Sequence, residues 1–338
     1  MKKHLLPNTG NYYKANLHCH TTVSDGRRTP EEVKEVYKAK GYSVVAYTDH
    51  DLMLDHSDLT DKDFLALRGY EIEITQHYGE APFRNRRTCH LCLIAKNESV
   101  DKQVCWHREK YLFGGAPALK HLAKFDESLP DFEREYTPEC VNEVIKRAKE
   151  GGFLVHYNHP NWSMESIAQY GKYEGFSGME IANFSAYSAG FEDYYPQAYE
   201  EAVRSGKRIY CIGADDNHHP GKDECGAWTM INAPSLEYGE IIKALENGNV
   251  YASMGPEIKA IFVEDGKIHV ECSPARRICI HRATRWDSCV KADEGETVTE
   301  AVFDFNPSAM WFRITVEDEK GRHADSRAYF SDEIYDEE

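Results

Sequence analysis

From residue 1 to about residue 250, segments typical of β-strands alternate with segments typical of α-helices. Pro30–Lys40 is typical of a helix, because Thr29 can cap it, a proline occupies its first position and Gly41 follows its end. The apolar, β-branched run Ser43–Tyr47 that comes next is typical of a buried strand. Strand, helix and strand in this order predict parallel pairing. The sequence therefore predicts an α/β fold with a barrel-like or doubly wound sheet.

The same pattern continues to about residue 250, except in Asn97–Pro138, which mixes aromatic and charged residues and predicts a helix or two. The other predicted elements are strands at Tyr13–His20, Phe64–Ile74, Thr88–Ala95, Phe153–Tyr157 and Arg208–Gly213, and helices at Pro138–Gly151 and Tyr194–Ser205. After about Gly255, apolar and polar residues alternate without a helical period, as in Met310–Val316. We therefore expect a catalytic domain over residues 1–254, a small antiparallel, sandwich-like β-domain over 255–330, and a disordered acidic tail over 331–338.

Composition limits the cellular setting of the chain. Its mean hydropathy is −0.64, and the sequence shows no run of about 18 apolar residues, the length that a membrane-spanning helix needs. Lys2 and Lys3 are not followed by the apolar stretch of a signal peptide. We therefore expect a cytoplasmic protein in which most of the 10 cysteines are reduced thiols.

Charge limits the class of partner. The chain has 57 acidic and 40 basic residues, for a net charge of −17, which argues against tight binding of long nucleic acid or a membrane surface. The dense basic cluster is Arg84, Arg86 and Arg87, whose guanidinium groups are candidates for binding a phosphate. Bound divalent cations are themselves large local positive charges, so a small anionic substrate remains compatible with this composition.

Histidines and carboxylates gather where predicted strands end. His18 and His20 are two residues apart on a strand, so both imidazoles point to one side and can bind one divalent cation. Asp25 follows in a Ser-Asp-Gly turn, and His50 directly follows the strand Ser43–Tyr47. Because side chains at the carboxyl ends of strands build the sites of α/β proteins, these residues are candidate metal ligands.

Two further strands carry candidate metal ligands, and on each strand a second residue is an alternative. Glu71 follows the bend at Gly69, and a carboxylate can bridge two cations, although Glu73 on the same face is an alternative. On the strand Thr88–Ala95, His90 is the candidate, and Cys92 shares its face.

Two later strands end in the same way. The strand Phe153–Tyr157 leads to His159 before a proline, with His156 as a supporting or core residue. The strand Arg208–Gly213 leads to Asp216 and His218, and their neighbours Asp215 and His219 are the alternates. So many histidines at strand ends predict a metal site, because histidines placed by chance would fall on helix surfaces as well.

In this order the motifs resemble the PHP (polymerase and histidinol phosphatase) domain family of the amidohydrolase-like superfamily. The matching motifs are His18-x-His20, Ser24-Asp25-Gly26, Thr48-Asp49-His50, Gly69-x-Glu71, His90, His159-Pro160 and Asp216-x-His218. The resemblance implies a distorted (βα)7 barrel, and the β-region after it resembles the tail of some stand-alone members. It also implies two or three divalent ions, of manganese, zinc or iron. Carried over by position, the ligands are His18, His20, Glu71 and Asp216 for the first ion, Glu71, His90 and His159 for the second, and Asp25, His50 and His218 for the third.

The implied activity is that of a metal-dependent phosphoesterase. Bound cations lower the pKa of water towards neutrality and so supply a hydroxide nucleophile, with Glu71 and Asp216 as candidate catalytic residues. We expect a small phosphate monoester or a nucleotide-type phosphoester as substrate. Two alternatives stay open, which are an amide (C–N) hydrolase that uses the same chemistry and a metal-binding regulatory module without catalysis.

Overall fold

A computed structural model describes residues 2–76 and 86–335 of the chain. The strands are β1 (Lys2–Leu6), β2 (Asn11–Asn16), β3 (Val44–Tyr47), β4 (Leu65–Thr75), β5 (Thr88–Ala95), β6 (Phe153–Tyr157), β7 (Gly178–Asn183), β8 (Tyr210–Ala214), β9 (Trp228–Ala233), β10 (Val250–Ser253), β11 (Ile258–Glu264), β12 (Lys267–Ala275), β13 (Arg277–Arg282), β14 (Ser288–Lys291), β15 (Val298–Asp304), β16 (Trp311–Glu317), β17 (His323–Ser326) and β18 (Tyr329–Phe330). The helices are α1 (Pro30–Ala39), α2 (Ala116–Leu119), α3 (Pro138–Glu150), α4 (Ile167–Tyr170), α5 (Phe184–Ser188), α6 (Pro196–Arg204), α7 (Tyr238–Glu246) and α8 (Ser331–Tyr335).

Helix α1 shows why the local sequence forms these elements. The Thr29 side chain accepts a hydrogen bond from the backbone N–H of Glu32, and the Glu32 carboxylate accepts one from the backbone N–H of Thr29. This reciprocal cap satisfies backbone donors that a helix start otherwise leaves open. The buried side chains Val33 and Tyr37 lie one helical turn apart and pack against the sheet.

The larger sheet confirms the mixed α/β class. Its strand order is β14-β13-β16-β17-β10-β9-β2-β3-β4-β5-β6-β7-β8, with β18 paired to β16. Strands β2, β3 and β4 pair in parallel, as do β6, β7 and β8. The expectation of parallel pairing is wrong for β5, which is antiparallel to both neighbours. Antiparallel strands need only a short connection, whereas parallel strands need a crossover of about a dozen residues or more.

The sheet is curved, so that the segment after β8 returns to the segment after β2. Cys19 forms a parallel bridge with Asn217, and the Asp216 amide donates to the His18 carbonyl at 2.9 Å. The carboxyl ends of these strands therefore meet around one opening, although their sequence positions lie far apart.

The region after residue 255 is antiparallel, as expected, and it also contains the first strand of the chain. A four-stranded sheet has the order β1-β11-β12-β15, with Lys2 opposite Glu264 and His4 opposite Phe262. Strand β17 pairs with β10 and so continues the larger sheet. The side chains packed between these layers are apolar, and they include Leu6, Ile261, Val270, Ile280 and Ile314.

The described part of the acidic tail is ordered. Ser331–Tyr335 forms α8, whereas the sequence predicts disorder there. Asp332 pairs with Arg208, and Glu333 accepts a hydrogen bond from Arg327 at 2.8 Å. These ion pairs explain the difference, since charge alone does not reveal which basic partners a tail will meet.

Most cysteines are free thiols, as expected. Cys279 and Cys289, in contrast, form a disulfide between the neighbouring strands β13 and β14. Among residues 2–76 and 86–335, no helix is long and apolar enough to cross a membrane.

Candidate metal centre

The predicted ligands come together at the opening formed by the strand ends. Their placement is as follows: His18, His20 and Asp25 after β2, His50 after β3, Glu71 within β4, His90 within β5, His159 after β6, and Asp216 and His218 after β8. Because the sheet is curved, residues from almost 200 positions apart in the chain become neighbours, for example His20 and His218, whose rings stack at 4.3 Å.

Glu71 occupies the middle of the cluster, and its side chain is 1% exposed. Its carboxylate oxygens lie close to ring nitrogens of His18 (3.1 Å), His50 (3.1 Å), His90 (3.1 Å), His20 (3.4 Å) and His159 (3.5 Å). Ligand atoms that each lie about 2.1 Å from one cation are separated from each other by roughly 3–3.5 Å. The spacing around Glu71 therefore has the scale of a coordination shell.

Four overlapping groups of side chains offer ligand atoms within 4.8 Å of one another. They are His20, Asp25, His50 and His218; His18, His159 and Asp216; His50, Glu71 and His90; and His18, Glu71 and Cys92. The resemblance implies that Asp25, His50 and His218 bind one ion, and these three residues form one of the four groups together with His20. His159 belongs to the group with His18 and Asp216.

Several polar atoms in this cluster are buried without a hydrogen bond. They are His50 Nδ1, Glu71 Oε2, and both ring nitrogens of His90. His50 Nδ1 and Glu71 Oε2 are 3.1 Å apart, so distance does not explain the missing bond. A divalent cation bound between these two atoms would use the lone pairs that no hydrogen bond takes up. A buried polar atom left without a partner costs stability, and nitrogen and oxygen ligands suit divalent Mn, Zn or Fe, so these residues fit the implied metals.

The imidazoles of the cluster lower the pKa values of its buried carboxyl groups. Burial alone would raise the pKa of Glu71, but the imidazoles of His18 and His90 hold it well below its usual range. Burial would likewise raise the pKa of Asp216, and His18 and His20 lower it. Both side chains are therefore carboxylates at neutral pH, which is the form that binds cations.

The cluster borders a cavity of about 430 Å³, the size of a site for a small molecule. Polar ligands form its floor, and the walls carry Phe113, Trp162, Ala186 and Ala189. Asn183, Ser185 and Glu73 contribute further polar groups. All side chains named for this cavity precede residue 220, so the C-terminal β-region contributes none of them.

Three comparisons with known proteins give the following result. No protein-family model and no curated protein matches the chain. Among solved structures, a two-domain protein from Bacteroides vulgatus ATCC 8482, containing a predicted PHP-like metal-dependent phosphoesterase, is 16% identical over 93% of both chains, with a TM-score of 0.44. A candidate metal-dependent phosphoesterase from Bifidobacterium adolescentis ATCC 15703 is 16% identical, covering 63% of this chain and 91% of that one, with a TM-score of 0.37. An amidohydrolase from Chromobacterium violaceum, solved with sulfate and no metal, is 15% identical over 62% and 89%, with a TM-score of 0.34.

The chain is similar to PHP-like phosphoesterases. Because the identities are 15–16% and the TM-scores lie below 0.5, the roles of individual residues in this chain rest on its own geometry.

Glu180 is a candidate positioning residue that the sequence did not reveal. It is fully buried in β7, and its Oε1 lies 2.7 Å from His18 Nδ1. Its other oxygen accepts hydrogen bonds from the His159 amide at 2.8 Å and from Asn183 at 2.9 Å. A carboxylate behind a metal-binding imidazole fixes the ring orientation and raises its basicity. The signal that was available is an acidic residue inside the apolar strand Gly178–Asn183.

The alternates to the predicted ligands lie mostly outside the cluster. Asp215 points away from it and accepts hydrogen bonds from the amides of Cys225, Gly226 and Ala227, and burial raises its pKa to about 6. His219 pairs with Asp223 instead.

His156 and Cys92 lie in the core beneath the cluster. His156 contacts the Tyr210 hydroxyl at 2.7 Å, and burial lowers its pKa to about 3. Cys92 does lie near His18 and Glu71, and burial raises the pKa of this thiol, which disfavours the thiolate needed for binding.

Of the basic residues predicted to bind phosphate, Arg86 and Arg87 do not line the metal cavity. Arg86 lines a second, adjoining cavity, and Arg87 is exposed. Arg84 and His77 lie outside the described residues. Phosphate binding by these arginines stays a prediction.

Two ligand positions have strained backbones. His159 has φ of 22° and Asp216 has φ of 54°, a region that residues with a Cβ rarely occupy. Hydrogen bonds hold the two turns, since the Ser163 amide donates to the His159 carbonyl at 3.1 Å and the Asp216 amide to the His18 carbonyl at 2.9 Å. Strain of this kind is concentrated at functional sites.

We expect Glu180→Gln to weaken metal binding by about 10- to 100-fold while the protein still folds, because the amide cannot hold the His18 ring as a carboxylate does. Titration against a chelating dye measures the affinity. Glu174→Gln is the control, because Glu174 is 73% exposed and pairs with Lys207 at the surface. Equal affinities for the Glu180 and Glu174 variants would show that Glu180 does not position the ligand.

Proposed function

We propose that this protein is a metal-dependent hydrolase of phosphate esters and that its substrates are small phosphate monoesters or nucleotide-type esters. The observation that carries the proposal is the buried carboxylate of Glu71, with ring nitrogens of His18, His50 and His90 each 3.1 Å away. The distorted (βα)7 barrel implied by the resemblance is part of the same proposal, as are residues 1–254 as the catalytic domain and a cytoplasmic location.

The residues that would hold two or three divalent ions are the predicted ligands His18, His20, Asp25, His50, Glu71, His90, His159, Asp216 and His218. When bound, such ions neutralise phosphate oxygens and lower the pKa of water, so that hydroxide forms near neutral pH.

The protein's own groups provide the rest of the chemistry. Asp216 lines the cavity with Oδ1 3.1 Å from His20 Nε2, and its lowered pKa keeps it ionised at neutral pH, which is the form that binds a cation. Asn183 Nδ2 donates to Asp216 Oδ2 at 3.2 Å and so orients that carboxylate. Phe113 and Trp162 line the cavity with apolar surface, which limits access of bulk water to the reacting groups.

Phosphate esters fit the charge of the site better than amides do. When occupied by several divalent cations, this cluster would carry a large local positive charge within a chain of net charge −17. This arrangement concentrates positive potential in one small cavity and attracts a single phosphate rather than a long nucleic-acid backbone. Amide hydrolysis remains the alternative reaction for the same ligands.

Metal analysis and a substrate screen test the proposal together. We expect at least two divalent ions per chain by elemental analysis, and turnover of p-nitrophenyl phosphate by the manganese, zinc or iron form. A simple anilide serves as the amide control. Turnover of the anilide alone would favour an amidohydrolase, and a stoichiometric metal load without any turnover would favour a regulatory module.

A further inference from the structure

A second cavity, of about 710 Å³, adjoins the metal cavity. Trp162 and Ala189 line both cavities. The Trp162 ring lies edge-on to two metal-ligand candidates, 5.0 Å from His159 and 5.4 Å from His90. A molecule with its phosphate at the metal cluster can therefore extend past Trp162 into the second cavity.

The walls of the second cavity expose large apolar side chains. Met164 is 42% exposed and Phe191 is 37% exposed, and both line this cavity together with Trp162. Exposed apolar surface that borders a catalytic cavity is typical of a ligand groove. Aromatic walls also provide stacking surfaces for a ring, beyond the effect of burial alone.

Four of the eight described lining residues are polar, namely Thr75, Arg86, Thr88 and Ser188, but three of them already have hydrogen-bond partners. The hydroxyls of Thr75 and Thr88 bond to each other at 2.8 Å, so they are already satisfied. Arg86 has a buried Nε without a hydrogen-bond partner, and Ser188 lies at the exposed edge. A sugar has many hydroxyls that would lose their water here without finding partners, which is unfavourable. A ring with one or two acceptor atoms suits this lining better.

We propose that the substrate is a phosphate monoester whose alcohol portion carries an aromatic ring, and that the ring binds in the second cavity against Met164 and Phe191. This inference rests on the proposed function, because it assigns the phosphate to the metal cavity. Phe191 is accordingly a specificity-determining residue.

Binding of two phosphonates tests the inference without depending on turnover. 2-Phenylethylphosphonate and ethylphosphonate carry the same charged group, and only the first has a ring. Isothermal titration calorimetry of the manganese-loaded protein should show that the phenyl compound binds at least about tenfold more tightly, the scale of discrimination that apolar pockets provide. Phe191→Ala should remove most of this preference.

Tyr187→Ala is the matched control. Tyr187 is an aromatic residue of the same segment, is 67% exposed and lines neither cavity, so its loss should leave the preference unchanged. Equal binding of the two phosphonates by the wild type, or an unchanged preference in Phe191→Ala, would overturn the inference. Turnover of p-nitrophenyl phosphate, measured on the same samples, separates the two proposals. Turnover without a ring preference would refute the aromatic site alone. The absence of both turnover and phosphonate binding would refute the proposed function and the inference with it.

Discussion

Glu71→Gln should lower kcat/KM for p-nitrophenyl phosphate by at least about a thousandfold, a loss of roughly 4 kcal/mol of transition-state stabilisation. Glu71 is the one carboxylate whose oxygens lie within 3.5 Å of His18, His20, His50, His90 and His159 among the described residues. A neutral amide keeps the shape of the side chain but bridges two cations poorly. We also expect a lower metal content, with an unchanged circular dichroism spectrum.

Glu73→Gln is the control for this experiment. Glu73 lies on the same strand and lines the same cavity, but its carboxylate bonds to Thr75 Oγ1. We expect a much smaller loss of activity from this change. If the Glu73 variant lost more activity than the Glu71 variant, the bridging role would belong to Glu73, the alternative that the sequence left open.

Arg313→Met should lower the free energy of unfolding by about 3–5 kcal/mol, because it leaves the buried carboxylate of Asp325 without its cation. Arg313 in β16 is 1% exposed and bonds to Glu200 of α6 at 2.6 Å and to Asp325 of β17 at 2.7 Å. The ion pairs therefore join the C-terminal β-region to a helix of the part that holds the metal cluster. Urea denaturation followed by tryptophan fluorescence measures the loss.

Lys267→Ala is the matched surface variant. Lys267 also pairs with an acidic residue of a neighbouring strand, Asp304, but the two side chains are 51% and 84% exposed. Exposed pairs contribute about 1 kcal/mol or less. Similar losses in the two variants would mean that burial of Arg313 does not matter.

Local sequence signals predicted the elements better than their pairing. Thr29 and Thr137 cap α1 and α3 as expected, because a cap depends on residues only three positions apart. The antiparallel direction of β5 and the place of β1 beside β11 were not visible. Pairing between strands distant in sequence depends on tertiary packing, which propensities do not describe.

For the candidate site, too, some features could be predicted from the sequence and others depended on tertiary structure. The clustering of predicted ligands was foreseeable, since strand ends of an α/β sheet meet at one edge. Glu180 was missed because β7 was not recognised as a strand, so its acidic residue was not seen to lie inside an apolar segment. The resemblance assigns His159 to one ion with Glu71 and His90, and the structure also brings a ring nitrogen of His159 near a ring nitrogen of His18 and a carboxylate oxygen of Asp216, so the ion that His159 joins stays a prediction. Such choices depend on side-chain rotamers rather than on motif order.

The pairing of β1 with β11 also sets an order of events on the ribosome. Lys2 pairs with Glu264, so β1 leaves the exit tunnel long before its partner strand β11 has been made. At roughly 5–20 residues per second, synthesis of the intervening chain takes on the order of 15–50 s. During that time the edge of β1 has no partner from β11, and its exposed backbone groups are open to chaperones or to other nascent chains. In a chain stalled before residue 264, β1 should therefore be sensitive to protease. In the released full-length protein, where β1 pairs with β11, it should be protected.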